Sequence, residues 1–333
     1  MLSLTKLWYA PRWYHWAVII VLLPFTLLFV LLSAVRRWLF QWGLKASVKV
    51  NVPVIVVGNI SVGGNGKTPL VVFIAQLLTD KGYRPGVLTR GYGAKSMAYP
   101  LSVEATSQVQ EVGDEPMLMR QHILCPLVVD PKRGRGAAHL VNSHGCDVII
   151  CDDGLQHYAL QRDIEIVVMD GQRRCGNQLL LPAGPLREGQ WRLDTVDFIV
   201  VNGHNHQEHE YLMTLKPDQL VNVVDPTLTK AVDALPNDTV AVAGIGNPQR
   251  FFQMLPSLGI QPAQCISFPD HHQFSSQDFP FTNSVVMTEK DAVKCRHFAK
   301  NNWWYLPVQA QLSSDFSQQL LHKLQEKVRS TSA

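Results

Sequence analysis

The sequence predicts an α/β protein: a parallel sheet with helices on both faces, a smaller α/β unit after it, and an N-terminal membrane helix. Three observations carry this expectation. Short apolar runs rich in β-branched residues alternate with polar, helix-length stretches through the body of the chain. One of these runs leads through a Gly-rich loop straight into a longer apolar stretch. Ahead of both, Trp16 to Val35 is a run of 20 residues without a charge.

That run, at about 1.5 Å per residue, matches the hydrocarbon thickness of a bilayer. Trp8, Tyr9, Trp13, Tyr14 and Trp16 flank it on one side and Trp38, Phe40 and Trp42 on the other, as expected for rings at headgroup level. Arg36, Arg37, Lys45 and Lys49 outnumber Lys6 and Arg12, which puts the downstream chain on the cytoplasmic side if the helix spans. A buried core helix and a signal peptide are the bland alternatives. Pro24 leaves room for a helix that lies in the membrane surface, so attachment is expected without a commitment to crossing.

After a basic connector, Val52 to Gly58 reads as a buried strand, followed by the Gly-rich loop and a helix from Pro69 to Leu78. Further strands are expected at Gly86 to Thr89, Leu127 to Asp130, Asp147 to Cys151, Ile164 to Met169 and Phe198 to Val201. Later runs at Thr239 to Ala243 and Ser284 to Met287, with a helix around Gln249 to Leu258, suggest the second unit. The expected division is 1–45 for the membrane segment, 46–224 for the core and 225–333 for the smaller unit.

Composition narrows the function classes. A net charge of +3 with no long basic run argues against a nucleic-acid partner. The six cysteines form no CxxC pair, so neither a zinc knuckle nor a disulfide framework is expected. His204, His206 and His209 lie in a polar Gly/Asn/Glu-rich stretch and read more simply as a solvated loop than as a metal site.

The Gly-rich loop is Ser61-Val62-Gly63-Gly64-Asn65-Gly66-Lys67-Thr68. Phosphate loops of the pattern G-x-x-x-x-G-K-[ST] close backbone N–H groups around phosphate oxygens, reach the terminal phosphates with Lys and bind Mg²⁺ through the hydroxyl. Gly66, Lys67 and Thr68 fit that pattern; Ser61 replaces its first glycine, while Gly63 and Gly64 supply freedom to turn. Pro69 suits the first helical turn. Such a loop needs a carboxylate for magnesium at a neighbouring strand end, and Asp152 and Asp153 follow the apolar run Val148 to Cys151. Together these features predict a P-loop NTPase-like core using a nucleoside triphosphate and Mg²⁺. No base-reading motif separates ATP from GTP.

Several segments together resemble the tetraacyldisaccharide 4'-kinases of lipid A synthesis: the loop from Val57 to Pro69, Thr89-Arg-Gly-Tyr-Gly93, Gly113-Asp-Glu-Pro116, Cys151-Asp-Asp-Gly-Leu-Gln-His157, Leu181-Pro-Ala-Gly-Pro-Leu-Arg-Glu188, Asp270-His-His272 and Thr288-Glu-Lys-Asp-Ala-Val-Lys294. They span nearly the whole chain in order. Members usually carry Thr where this loop has Asn65, a difference expected to matter little. The resemblance implies an ATP-dependent kinase of the inner membrane, its catalytic domains on the cytoplasmic face, phosphorylating the 4'-hydroxyl of a tetraacyl glucosamine disaccharide 1-phosphate to give lipid IVA. Its partners would be that lipid and the membrane, with neither nucleic acid nor a protein partner expected.

The chemistry such a kinase needs assigns the remaining candidates. A sugar hydroxyl must be oriented, must lose its proton, and the moving phosphoryl charge must be neutralised. By the resemblance, Asp114 becomes proton acceptor rather than helix cap, paired with His271; from the residues alone, the Asp-His-His run could equally be a metal ligand set or a helix start. Arg187 matches phosphate oxygens bidentately. Glu115 and Glu188 join Thr68, Asp152 and Asp153 as candidates for holding the metal. Arg90 and Arg133 are candidates for the substrate phosphate or the nucleotide, and His157 for steadying the Asp152–Asp153 turn or touching substrate. The rival reading is a membrane-anchored NTPase acting as a switch or assembly factor, which would have no use for a second reactive pair far from the loop in sequence.

Overall fold

The computed structural model describes residues 4–332 apart from 95, 97, 205 and 281. The chain opens with α1 (Leu4–Tyr9) and α2 (His15–Gln41), then enters the core with β1 (Val54–Gly58), α3 (Lys67–Asp80), β2 (Pro85–Thr89) and β3 (Leu101–Ser102). Next come α4 (Val109–Val112), α5 (Asp114–His122), β4 (Leu127–Val129), α6 (Arg133–His144), β5 (Val148–Asp152), β6 (Ile164–Asp170), β7 (Phe198–Asn202) and β8 (Tyr211–Pro217). The last stretch holds β9 (Leu220–Asn222), β10 (Thr229–Lys230), β11 (Val240–Ala243), α7 (Pro248–Ser257), β12 (Gln264–Ser267), β13 (Val285–Thr288), α8 (Glu289–Cys295), β14 (Trp303–Leu306), β15 (Val308–Leu312) and α9 (Ser314–Ser332).

Two sheets result. The larger runs β15-β8-β7-β6-β1-β5-β2-β4-β3 and is parallel except at its edges, where β3 and β15 pair antiparallel. Strand periodicity divides its side chains: Ile55 and Val57 point to one face with Leu70 and Ile74 of α3, whereas Val54 and Val56 point to the other with Ala137 and Leu140 of α6. Each such fully buried Leu or Ile contributes about 1.5–3 kcal/mol. The smaller sheet runs β10-β9-β14-β13-β11-β12.

The division expected at 224/225 differs from this arrangement at both ends. β9 already belongs to the smaller sheet, and β15 with α9 returns to the larger one. The return has an apolar cause: Phe316, Leu320 and Leu324 recur at four-residue spacing on α9 and bury completely beside Phe73, Phe198 and Tyr211.

Helix α2 lies along the folded body rather than within it. Ile19 buries with Leu7 and Ala183, and the Thr26 hydroxyl, also buried, accepts from the Ala183 N–H at 3.1 Å. Near the other end, the Arg37 guanidinium sits 4.6 Å from the centre of the Trp191 ring. Outward, Ile20, Val21, Leu27, Leu28, Leu31 and Leu32 are exposed. With a mean hydropathy of 2.9 and only 11% of its most apolar stretch buried, α2 is not a core helix; its open face is a membrane-associating surface.

Candidate active site

The strand order creates the site. β1 and β5 are neighbours with Val57 level with Asp152, so the loop after β1 and the acids after β5 leave the sheet side by side. Gly66 adopts φ of +93°, a left-handed geometry that turns the loop into α3 and that a side chain would strain. Asn65 braces the loop from behind: its Nδ2 donates to Ser61 Oγ at 3.0 Å, and its carbonyl accepts from Asn202 Nδ2 at 3.1 Å. Ser61 and Asn65 are both buried, so the serine in place of the first glycine anchors a cross-loop bond. Gly63 through Thr68 line a cleft of about 960 Å³, while Ser61 and Val62 stand behind it.

On the neighbouring strand end, Asp153 takes φ of +48° and meets Lys67 Nζ at 3.4 Å and Arg187 Nη1 at 3.2 Å. Burial alone would raise its pKa, but Lys67 and Arg187 hold the carboxyl well below the usual range. Asp152 is the opposite case. Burial first, then the charge of Glu115, pushes its pKa up to about 7. Its Oδ2 accepts from Thr89 Oγ1 at 3.2 Å, while its buried Oδ1 has no partner. Two carboxylates that repel each other, one with an orphaned oxygen, fit a divalent cation in the cleft that Thr68 also lines. Among the described residues no three acid, His or Cys side chains converge as a metal centre.

The opposite wall comes from the smaller sheet. Gly246 packs against Gly64 of the loop, its carbonyl taking a 2.8 Å bond from Arg173 Nη1. Asn247 Nδ2 donates to Asp170 at 3.2 Å and Arg250 Nη2 to the Asn202 carbonyl at 2.6 Å, pinning the start of α7 beside the loop. Across the cleft, His271 Nδ1 lies 3.0 Å from Asp114 Oδ2, bringing together two residues 157 positions apart. Burial opposes ionisation of Asp114, yet the His271 hydrogen bond and the Lys290 charge lower its pKa to about 2. The bond to Asp114 also raises the pKa of His271, and the exposed Tyr92 ring flanks the imidazole at 4.9 Å.

The remaining candidates divide. Glu115 and Arg90 line the cleft. Arg133 is buried behind it, donating to the Asp152 carbonyl with Nη2 at 2.6 Å while its Nε and Nη1 lack partners. His157 is half-buried; burial, then Arg133 and Arg90, lowers its pKa to about 4, so it is neutral at pH 7. Glu188 departs from its expected metal role. It is buried off the cleft, hydrogen-bonded by Tyr158 and by Gln156 Nε2 at 3.1 Å with Arg192 at 3.5 Å, a cage that fixes the loop carrying Arg187. Sequence reasoning assigned no role to Lys290, Asp270, Asn202 or Gly246. For Lys290 a signal existed: like Asp152 and Asp153 at the end of β5, it lies close to a strand end, two residues past β13.

A phosphate loop beside paired acids on one sheet, closed over by a second unit whose imidazole meets an acid of the first, defines a P-loop phosphotransferase. The family model "Tetraacyldisaccharide-1-P 4'-kinase" matches residues 18–325, and the chain belongs to that family. It is 63% identical over 302 residues to the tetraacyldisaccharide 4'-kinase of Pseudoalteromonas atlantica, covering 91% of this chain and 99% of the relative. It is 49% identical over 326 residues to that of Shewanella loihica, covering 97% and 96%. The crystal structure of LpxK from Aquifex aeolicus in complex with ATP superimposes with a TM-score of 0.75 at 30% identity, covering 93% of this chain and 99% of that one.

Proposed function

We propose that the protein transfers the γ-phosphate of ATP to the 4'-hydroxyl of a tetraacyl glucosamine disaccharide 1-phosphate, forming lipid IVA at the inner membrane. The observation that carries this reading is the Asp114–His271 pair, 3.0 Å apart, whose imidazole lines the same cleft as the phosphate loop. A nucleotide switch has no use for such a pair; a kinase needs it. Asp114, ionised at neutral pH, accepts the proton of the sugar hydroxyl as its oxygen bonds to the γ-phosphorus and the bond from that phosphorus to the β–γ bridging oxygen breaks, releasing ADP, while His271 orients the carboxylate. Lys67 and Arg187, already gathered on Asp153, neutralise the terminal phosphates. Thr68, Asp152 and Glu115 would hold Mg²⁺, which supplies charge neutralisation between the phosphates when bound. Val72, Phe73, Leu118, Leu215 and Leu306 also line the cleft and offer an apolar berth for the base.

Arg90 and Arg133 lie close enough to His157 to help keep it neutral, and Arg36 of α2 lowers its pKa further. Arg90, which lines the cleft, and exposed Arg36 offer basic ground to the anionic, membrane-held substrate, with buried Arg133 adding charge from behind. The cation excess after α2, Arg36, Arg37, Lys45 and Lys49, keeps the catalytic body on the cytoplasmic face. Transfer of label from γ-labelled ATP to the lipid tests the reading. Label should reach the lipid with the wild type and fall by about 10²–10⁴ with Asp114→Ala. Undiminished labelling in that variant would contradict the assignment.

A further inference from the structure

The first turn of α8 is a rigid platform. Thr288 ends β13 and caps the helix, its hydroxyl accepting from the Asp291 N–H at 3.3 Å. Asp291 is fully buried, takes a 2.8 Å bond from the Gly244 N–H and pairs with Lys294 at 2.7 Å. With Asp291 and Lys294 committed to the interior, Lys290 leaves the same turn toward the cleft. Its Nζ reaches Glu115 Oε1 at 3.0 Å, Asp270 Oδ1 at 3.3 Å, His271 Nε2 at 3.4 Å and Asp114 Oδ2 at 3.8 Å. One ammonium thus touches two acids of α5 and two residues of the loop that carries the imidazole.

An ammonium has three protons and no lone pair. Where it donates to His271 Nε2, that nitrogen must be the acceptor, which leaves the ring proton on Nδ1, the atom facing Asp114 Oδ2. The contact therefore selects the tautomer that can hydrogen-bond Asp114. His271 also holds φ of +59°, unfavourable for a residue other than glycine, so its place depends on external contacts. Without the cation, Asp114 at 3.0 Å and Asp270 at 3.9 Å would face the imidazole with no ammonium between them.

We propose that Lys290 is a positioning residue: it assembles the Asp114–His271 pair across the cleft and fixes the imidazole tautomer. The inference rests on reading that pair as the proton-accepting machinery. Lys290 acts through His271.

A double-mutant cycle on the full-length enzyme, with ATP and the tetraacyl disaccharide 1-phosphate, tests this. Lys290→Met should lower kcat about 10- to 100-fold while KM for ATP stays within about twofold. In a His271→Ala background the same substitution should cost no more than about twofold further, because its target is gone. Lys290→Arg, which keeps charge and donors, should recover part of kcat. Unchanged kcat in Lys290→Met, a rise in KM at constant kcat, or losses that multiply in the double variant would each overturn the inference. Were His271→Ala itself fully active, the reading of the pair would fail first, a distinguishable result. Thermal melting checks folding of each variant; if Lys290→Met is unfolded, Lys290→Gln carries the same cycle with the same expected outcomes.

Discussion

Gly246 and Gly64 meet where the smaller sheet closes on the phosphate loop: a methyl group at position 246 would stand 2.5 Å from the Gly64 nitrogen. No side chain fits there without separating the two walls. Gly246→Ala should therefore widen the cleft at the phosphates and raise KM for ATP about 3- to 10-fold, with a smaller effect on kcat. Steady-state kinetics at saturating lipid measures both; an unchanged KM would mean the walls part freely before nucleotide enters.

The Asp114–His271 contact makes a different forecast. Asp114→Asn removes the acceptor but keeps the size, so kcat should drop by about 10²–10⁴ with ATP affinity, read by equilibrium binding, nearly intact. Parallel loss of binding would place Asp114 in the nucleotide site instead.

His122 and Glu289 tie α5 to α8 through a 2.7 Å contact, and the hydrogen bond to Glu289 raises the imidazole pKa above its ordinary value. A raised histidine pKa contributes stability that is complete below the unfolded value near 6.5 and disappears as pH rises through the folded value. The melting advantage of the wild type over His122→Gln should thus be larger at about pH 5.5 than at about pH 8.5, the ion pair being worth about 1 kcal/mol. A difference that grows with pH would contradict the pairing.

The outward face of α2 can be tested without disturbing its docked stripe. Leu27→Asp with Leu31→Asp should weaken sedimentation with anionic lipid vesicles while leaving the melting temperature within a few degrees, since both positions are exposed. Thr26→Val instead removes the acceptor for the Ala183 N–H and should cost about 1–3 kcal/mol of stability. Retained vesicle binding by the double aspartate variant would shift the anchor elsewhere.

How much of this was legible in the sequence depends on range. Local period and turn chemistry exposed β1, the phosphate loop and α3, and placed Asp152 and Asp153 at a strand end, because those features are written within a few consecutive residues. The pairing of Asp114 with His271 followed only from resemblance, since nothing local links residues 157 positions apart. Glu188 misled because a carboxylate beside Arg187 looks available until folding surrounds it with Tyr158, Gln156 and Arg192. The return of β15 and α9 to the larger sheet was hidden for a related reason: an apolar strand does not say which sheet it will join. Lys290 was in view within Thr288-Glu-Lys-Asp-Ala-Val-Lys294, but its four partners come from two other segments.

The most direct test of the central claim is mass spectrometry of tetraacyl disaccharide 1-phosphate after incubation with the purified protein, ATP and Mg²⁺, with fragmentation to locate the product phosphate. The account predicts one added phosphate on the distal sugar, carried at the 4'-oxygen, and none with Lys67→Ala. Lipid recovered unchanged from the wild-type reaction, or phosphate added at another position, would contradict it.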